Sequence, residues 1–144
     1  MGEVSFVAMA IFIFSFFLNF VWESLHGFSL FEGHHIDSGK YVVMMTHMSL
    51  MDAVTILGIY LAVAFFEKNL LWLKNFNKKN IVVFFVLGLI VAVLAEFNSV
   101  YLTKEWQYNS YMPIIFGIGL SPLVQLSITG LLSIWLAKRV YSKS

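Results

Sequence analysis

Residues 19–27 read NFVWESLHG, and they close a stretch, VSFVAMAIFIFSFFL, that holds almost nothing polar. Asn19, Glu23 and His26 stand at i, i+4 and i+7, which puts a carboxamide, a carboxyl and an imidazole on one helical face. Groups of these types can move a proton between themselves and a bound molecule, or they can hold a cation. Glu96 and Ser99 share a face in the same way at i, i+3, whereas Asn98 lies about 200° around from Glu96 and points elsewhere. Ser121, Gln125 and Thr129 form a third row at i, i+4 and i+8. His47 and Asp52, at i, i+5, stand about 140° apart around their helix and make a poor chelate.

Three chemistries fit these residues. Glu23-Ser-Leu-His26 has the Glu-x-x-His spacing of di-iron bundles, but such bundles need a second pair and two further glutamates. A zinc site would have to recruit His34, His35 and Asp37 from the FEGHHID segment, which reads more simply as a solvated loop. The expectation is no metal and no cofactor. Acid–base chemistry on a lipid-soluble molecule is better served. Glu23, His47, Asp52 and Glu96 are the candidate catalytic groups, and Asn19, Trp22, His26, Ser99, Trp106, Tyr108 and Gln125 the candidate ligand contacts. Isomerisation or cyclisation of an olefin needs a proton donor, an acceptor and aromatic rings in a dry pocket. Ion passage is the third chemistry, and too few polar groups on one side argue against a continuous path. Buried Asn, Gln, Ser and His also serve as plain interhelical hydrogen-bond partners, and Asn98 is the clearest candidate for that role.

The elements that carry these residues are four long apolar runs, at about 4–25, 41–66, 81–103 and 112–136. Each is long enough to cross a ~30 Å hydrocarbon layer as a helix. The composition agrees, with 60% hydrophobic and 12% charged residues in 144, where a soluble domain carries about a quarter charged. The first run has no basic region ahead of it and ends in WESLHG rather than a small-residue cleavage site, so it reads as a span and not a signal. The chain is one all-α domain, 1–144, a four-helix transmembrane bundle. Pro113 suits the start of the fourth helix, and Pro122, after Gly117 and Gly119, should kink that helix near Gln125. Phe and Met along the helices read as lipid-facing or packing residues.

Charge sets the orientation. Lys68, Lys74, Lys78, Lys79, Lys138, Arg139 and Lys143 fall in the second connection and after the fourth run; only Lys40 and Lys104 fall in the other two connections. The positive-inside rule puts the crowded side, and both termini, in the cytoplasm of a multi-pass cell-membrane protein. Trp72 and Trp135 then mark the inner interface, Trp22 and Trp106 the outer one. At ~1.5 Å rise per residue, His47 lies roughly 9 Å and Asp52 roughly 16 Å below the outer end of the second helix. Every span thus brings polar groups to the outer half, where a carboxyl is costly unless it faces a partner or water. Without a cation nearby such a carboxyl favours its protonated form, the state a general acid needs.

The combination NF-x-WE, a His followed by an Asp in the second span, and Glu ahead of W-x-Y-x-x-x-MP and GLSPL-x-Q resembles a group of small, uncharacterised four-span bacterial membrane proteins. The architecture and residue types are also loosely similar to the sterol-isomerase/emopamil-binding superfamily and to the small membrane lycopene cyclases. Those likenesses imply that Glu23, His47, Asp52 and Glu96 handle protons. The expected function is binding of a membrane lipid or other hydrophobic small molecule in an outward-facing intramembrane pocket, with acid–base isomerisation or cyclisation of a lipid or isoprenoid. The alternatives are a non-catalytic small subunit of a larger membrane complex and a metal-binding or proton-handling protein. A homo-oligomer fits either assembly, and the net charge of +1 offers nothing to nucleic acid.

Overall fold

The computed structural model describes residues 2–33 and 36–143; His34 and His35, read above as loop, lie outside the described residues. Four helices carry the chain: α1 (Glu3–Leu30), α2 (Ser38–Glu67), α3 (Lys78–Phe97) and α4 (Leu120–Tyr141). α3 continues through a π turn, Asn98–Leu102. All four spans are long and apolar enough to cross a membrane. Local chemistry fixes several ends. The Asp37 carboxylate accepts from the N–H groups of Gly39 and Lys40 to open α2, and the Asn77 side chain accepts from Asn80 N–H to open α3. α2 stops at Lys68, which turns left-handed at φ 51° while its N–H bonds back to the carbonyls of Ala64 and Phe65.

α1 packs along both α2 and α4, α3 packs along α4, and α2 meets α3 over a shorter stretch. The buried stripe of α1 changes character along its length: Val7 and Ile11 at one end, then Ser15, Asn19, Glu23 and His26. The apolar end is sealed by Trp72, whose ring stacks on Tyr60 at 5.0 Å and whose indole N–H donates to the Tyr60 carbonyl at 3.2 Å. Phe84, Ile134 and Ala137 complete that end of the core. Here the helices are held by close packing of these side chains.

Three expectations are corrected. The fourth helix starts at Leu120, because Ile114–Ile115 and Ile118–Gly119 pair as a two-stranded antiparallel hairpin (β1, β2). Pro113 therefore precedes that hairpin and starts no helix. Pro122 stands in the first turn of α4, where a missing N–H interrupts no helical bond, so it has no preceding turn to kink. Trp72 is 1% exposed and plugs the core instead of anchoring at an interface. Of the four tryptophans only Trp135 is exposed, with the Arg139 guanidinium 4.1 Å over its ring.

Candidate functional site

The polar end of the bundle encloses a cavity of about 180 Å³. It lies between the halves of α2 and α3 remote from their connection, with Glu23, His26 and Gly27 of α1 and Pro122, Gln125 and Leu126 of α4 closing the other sides. Met44, Met45 and Met48 of α2 face Ala92 and Ala95 of α3 across it. The site can form where it does because Gly27 lets α1 approach α2. A Cβ there would meet Met45 Sδ and the Tyr41 hydroxyl at 3.2 Å.

Gln125 is the centre of the network. Its carboxamide nitrogen lies 2.7 Å from Glu23 Oε1, 2.8 Å from Asp52 Oδ2 and 3.0 Å from Asn19 Oδ1. Three elements thus converge on one amide group. An amide brings two hydrogens, so three acceptors cannot all be served by it. Thr129 adds one hydroxyl hydrogen, yet it too faces two acceptors, Asn19 Oδ1 at 3.1 Å and the Gln125 carbonyl at 2.8 Å. The Glu23 and Asp52 carboxyls are moreover neighbours, since both meet the one Gln125 nitrogen. With Thr129 serving Asn19, the two amide hydrogens can serve Glu23 and Asp52. What the arrangement adds is two acidic side chains gathered on one amide, where a proton shared between them would relieve their repulsion.

Glu23 Oε2 meets His26 Nε2 at 3.0 Å, and His26 Nδ1 meets the Ser121 hydroxyl at 3.0 Å. Trp22 donates its indole N–H to the same hydroxyl at 3.2 Å. A relay of exchangeable hydrogens therefore runs from Ser121 through His26 to the carboxyl pair. Across the cavity Glu96 Oε2 accepts from the Tyr108 hydroxyl, and from the Trp106 indole at 3.4 Å. The α1–α2 and α3–α4 connections deliver those rings. Glu32 N–H donates to the Gln107 carbonyl at 2.9 Å and Asn109 N–H to the Leu30 carbonyl at 3.0 Å, which lays residues 106–109 over the end of α1. Phe31 packs between, its ring centroid 5.2 Å from His26 and 6.2 Å from Trp106. Burial, and then the Glu96 carboxyl, push the Tyr108 phenol above its ordinary range, so it stays a donor.

Of the residues singled out from sequence, Asn19, Glu23, His26, Asp52, Glu96, Trp106, Tyr108 and Gln125 lie in or directly around the cavity, and Trp22 braces it through Ser121. His47 is not brought in: it is exposed on α2, turned away from Asp52 as the 140° separation requires. Ser99 is buried but outside the lining. Asn98 is exposed on the far side of Glu96. Sequence reasoning missed Phe31, Glu105 and the three methionines. Their signal was the MMTHM cluster, which puts adaptable thioether chains on the helix that carries Asp52. Among the described residues no group of three or more His, Cys, Asp or Glu is arranged to hold a metal ion.

Neither family models, nor curated proteins, nor solved structures yield a match to this chain.

Proposed function

We propose that this is a multi-pass cell-membrane protein with both termini in the cytoplasm. On this reading it binds a hydrophobic molecule in the cavity from the outer leaflet and rearranges it by acid–base catalysis. The carrying observation is the convergence of the Glu23 and Asp52 carboxyls on the Gln125 amide, at the wall of a cavity lined largely by Met, Ala, Leu and aromatic side chains with Glu96 and His26 beside them. A proton shared by that pair would sit in a pocket whose lining holds no Lys or Arg and one imidazole, His26. The ligand's route is lateral: Met44 and Met48 are half-buried and Ala95 is exposed, so the gap between α2 and α3 faces lipid in this reading.

In the isomerisation we envisage, the Glu23/Asp52 pair gives its proton to one carbon of an olefin, and a proton leaves a neighbouring carbon to Glu96. Glu96 then releases its proton to water on the side where exposed Glu105 lines the cavity, and the pair regains one from water along the Ser121–His26 relay. Phe31 and Trp106 shield the developing positive charge. The proton count balances, and no oxidant is involved.

The test is a turnover in heavy water. Protein in lipid nanodiscs is incubated in D2O, and extracted lipids are compared by mass spectrometry for deuterium at carbon. Wild type should label one lipid class that co-purifies with it; Asp52→Asn, which keeps the network supplied with hydrogens, should fold and label none. Equal labelling by both proteins would refute the acid–base reading, and identical co-purifying lipids with Glu96→Gln would refute the binding site.

A further inference from the structure

The hairpin between α3 and α4 is not accounted for by the cavity. Its tip is Phe116–Gly117, with φ of 51° and 83°, the two positive values a two-residue type I′ turn needs. Gly117 takes this freely, but a bulky aromatic residue in the left-handed region is strained. The Phe116 ring offsets none of that strain within the chain, for it is 102% exposed. Tyr111, Ile114 and Ile115 beside it are exposed as well. Successive strand residues point to opposite faces, so Ile114 and Ile115 leave the hairpin apolar on both sides. From Trp106 to Ala137 the chain has no charged residue.

The hairpin is also fixed at one depth. The Tyr101 hydroxyl donates to the Gly117 carbonyl at 2.6 Å, and Leu120 N–H to the Pro113 carbonyl at 2.7 Å. Tyr101 and Leu102 are exposed at the outer end of α3, continuous with the apolar outer surface of that helix. We infer that the hairpin is a lipid anchor: Phe116, with Ile114, Ile115 and Tyr111, sits among the acyl chains of the outer leaflet. A protein partner would cover one face and leave the other wet, whereas a fluid covers both. Without charges the stretch also offers a partner no ion pair. At its base Gly119 is packed so closely on Met112 and the Tyr108 ring that a Cβ would meet both at 2.9 Å. The anchor therefore sets the height of the Tyr108 hydroxyl that holds Glu96.

This inference rests on the reading that the four helices span a bilayer, and the experiment separates the two. The chain has no cysteine, so Phe116→Cys and Leu94→Cys each give one spin-label site, Leu94 being 64% exposed on α3. Both are reconstituted in phosphatidylcholine vesicles and exposed to oxygen, which concentrates in lipid, and to a water-soluble nickel chelate. The anchor requires both labels to relax several-fold faster with oxygen than with nickel. A Leu94→Cys label in lipid with a Phe116→Cys label open to nickel overturns the anchor alone. A Phe116→Cys label shielded from both reagents means that protein covers the tip, and also overturns it. Nickel access at both sites removes the membrane reading and the anchor together.

Discussion

Replacing Gln125 by Leu would leave Asn19 Oδ1, Glu23 Oε1 and Asp52 Oδ2 facing a side chain with nothing to donate. Asn19 keeps the Thr129 hydroxyl, but the other two acceptors lose their donor. An orphaned buried acceptor costs about 1–3 kcal/mol, so Gln125→Leu should destabilise the folded protein by about 2 kcal/mol or more, read as a lowered midpoint in detergent unfolding. Asp52→Asn swaps an acceptor for a group that also donates, and its midpoint should stay close to wild type. The same substitution should remove a protonated-carboxyl C=O band from the infrared spectrum, and a band that survives would place the proton elsewhere. Tyr108 gives a pH prediction of opposite reach. Its folded-state ionisation lies above the unfolded one, so the Tyr108–Glu96 bond contributes fully below the ordinary tyrosine range, about pH 10, and is lost only as pH rises through the higher folded value. Between neutral pH and about 10, Tyr108→Phe should therefore lower stability by a constant amount, and a penalty that fades within that window would contradict the assignment.

At the scale of elements the contacts that hold the bundle are small residues at helix crossings. A Cβ on Gly88 would meet the Ser127 hydroxyl at 2.5 Å and its backbone at 3.2 Å, and one on Gly130 would meet the Phe84 ring at 2.7 Å. Gly88→Val should thus part α3 from α4 and reduce folded yield sharply, because backbone at the contact cannot yield. Gly130→Ala should cost less if the Phe84 ring can swing, and an effect exceeding that of Gly88→Val would reverse this ranking of the two crossings. The helices themselves were legible, since length and apolar composition decide a span without regard to tertiary detail. The rows Asn19–Glu23–His26 and Ser121–Gln125–Thr129 were legible too, because 3.6-residue periodicity fixes which side chains share a face. The start of α4 was not. Ile114, Ile115, Phe116 and Ile118 are as apolar as a span, and hydropathy does not distinguish a short hairpin from a helical turn; only Gly117, Gly119 and the two prolines marked the break. His47 failed for another reason: depth alone recommended it, while its angle from Asp52 already argued against a shared face. Met44, Met45 and Met48 were set aside as packing residues, and only the assembled bundle gives them a cavity to line.

Across the whole molecule, one cluster ties the chain ends to the middle connection. Lys74 reaches Glu3 at 3.1 Å and lies 4.9 Å from the centre of the Tyr141 ring, and Phe6 packs on Tyr141 at 6.5 Å. The start of α1, the end of α4 and the α2–α3 connection therefore share one end of the bundle, opposite the cavity. Seven of the nine Lys and Arg residues, Lys68, Lys74, Lys78, Lys79, Lys138, Arg139 and Lys143, fall at that same end. An exposed cluster of this kind adds little to stability and is screened by salt, but its sign is decisive for insertion. Basic residues held together on one face resist translocation collectively, so the clasped end should stay in the cytoplasm. Single cysteines can read this out in whole cells. Asn69→Cys and Ser142→Cys should react with a membrane-impermeant maleimide only after the cells are opened, and Ser110→Cys should react from outside without lysis. The inverted pattern would turn the cavity to the cytoplasmic leaflet and deny it an outer-leaflet ligand. It would leave the convergence of Glu23, Asp52 and Asn19 on Gln125 untouched, since that follows from the fold and not from the direction in which the bundle is inserted.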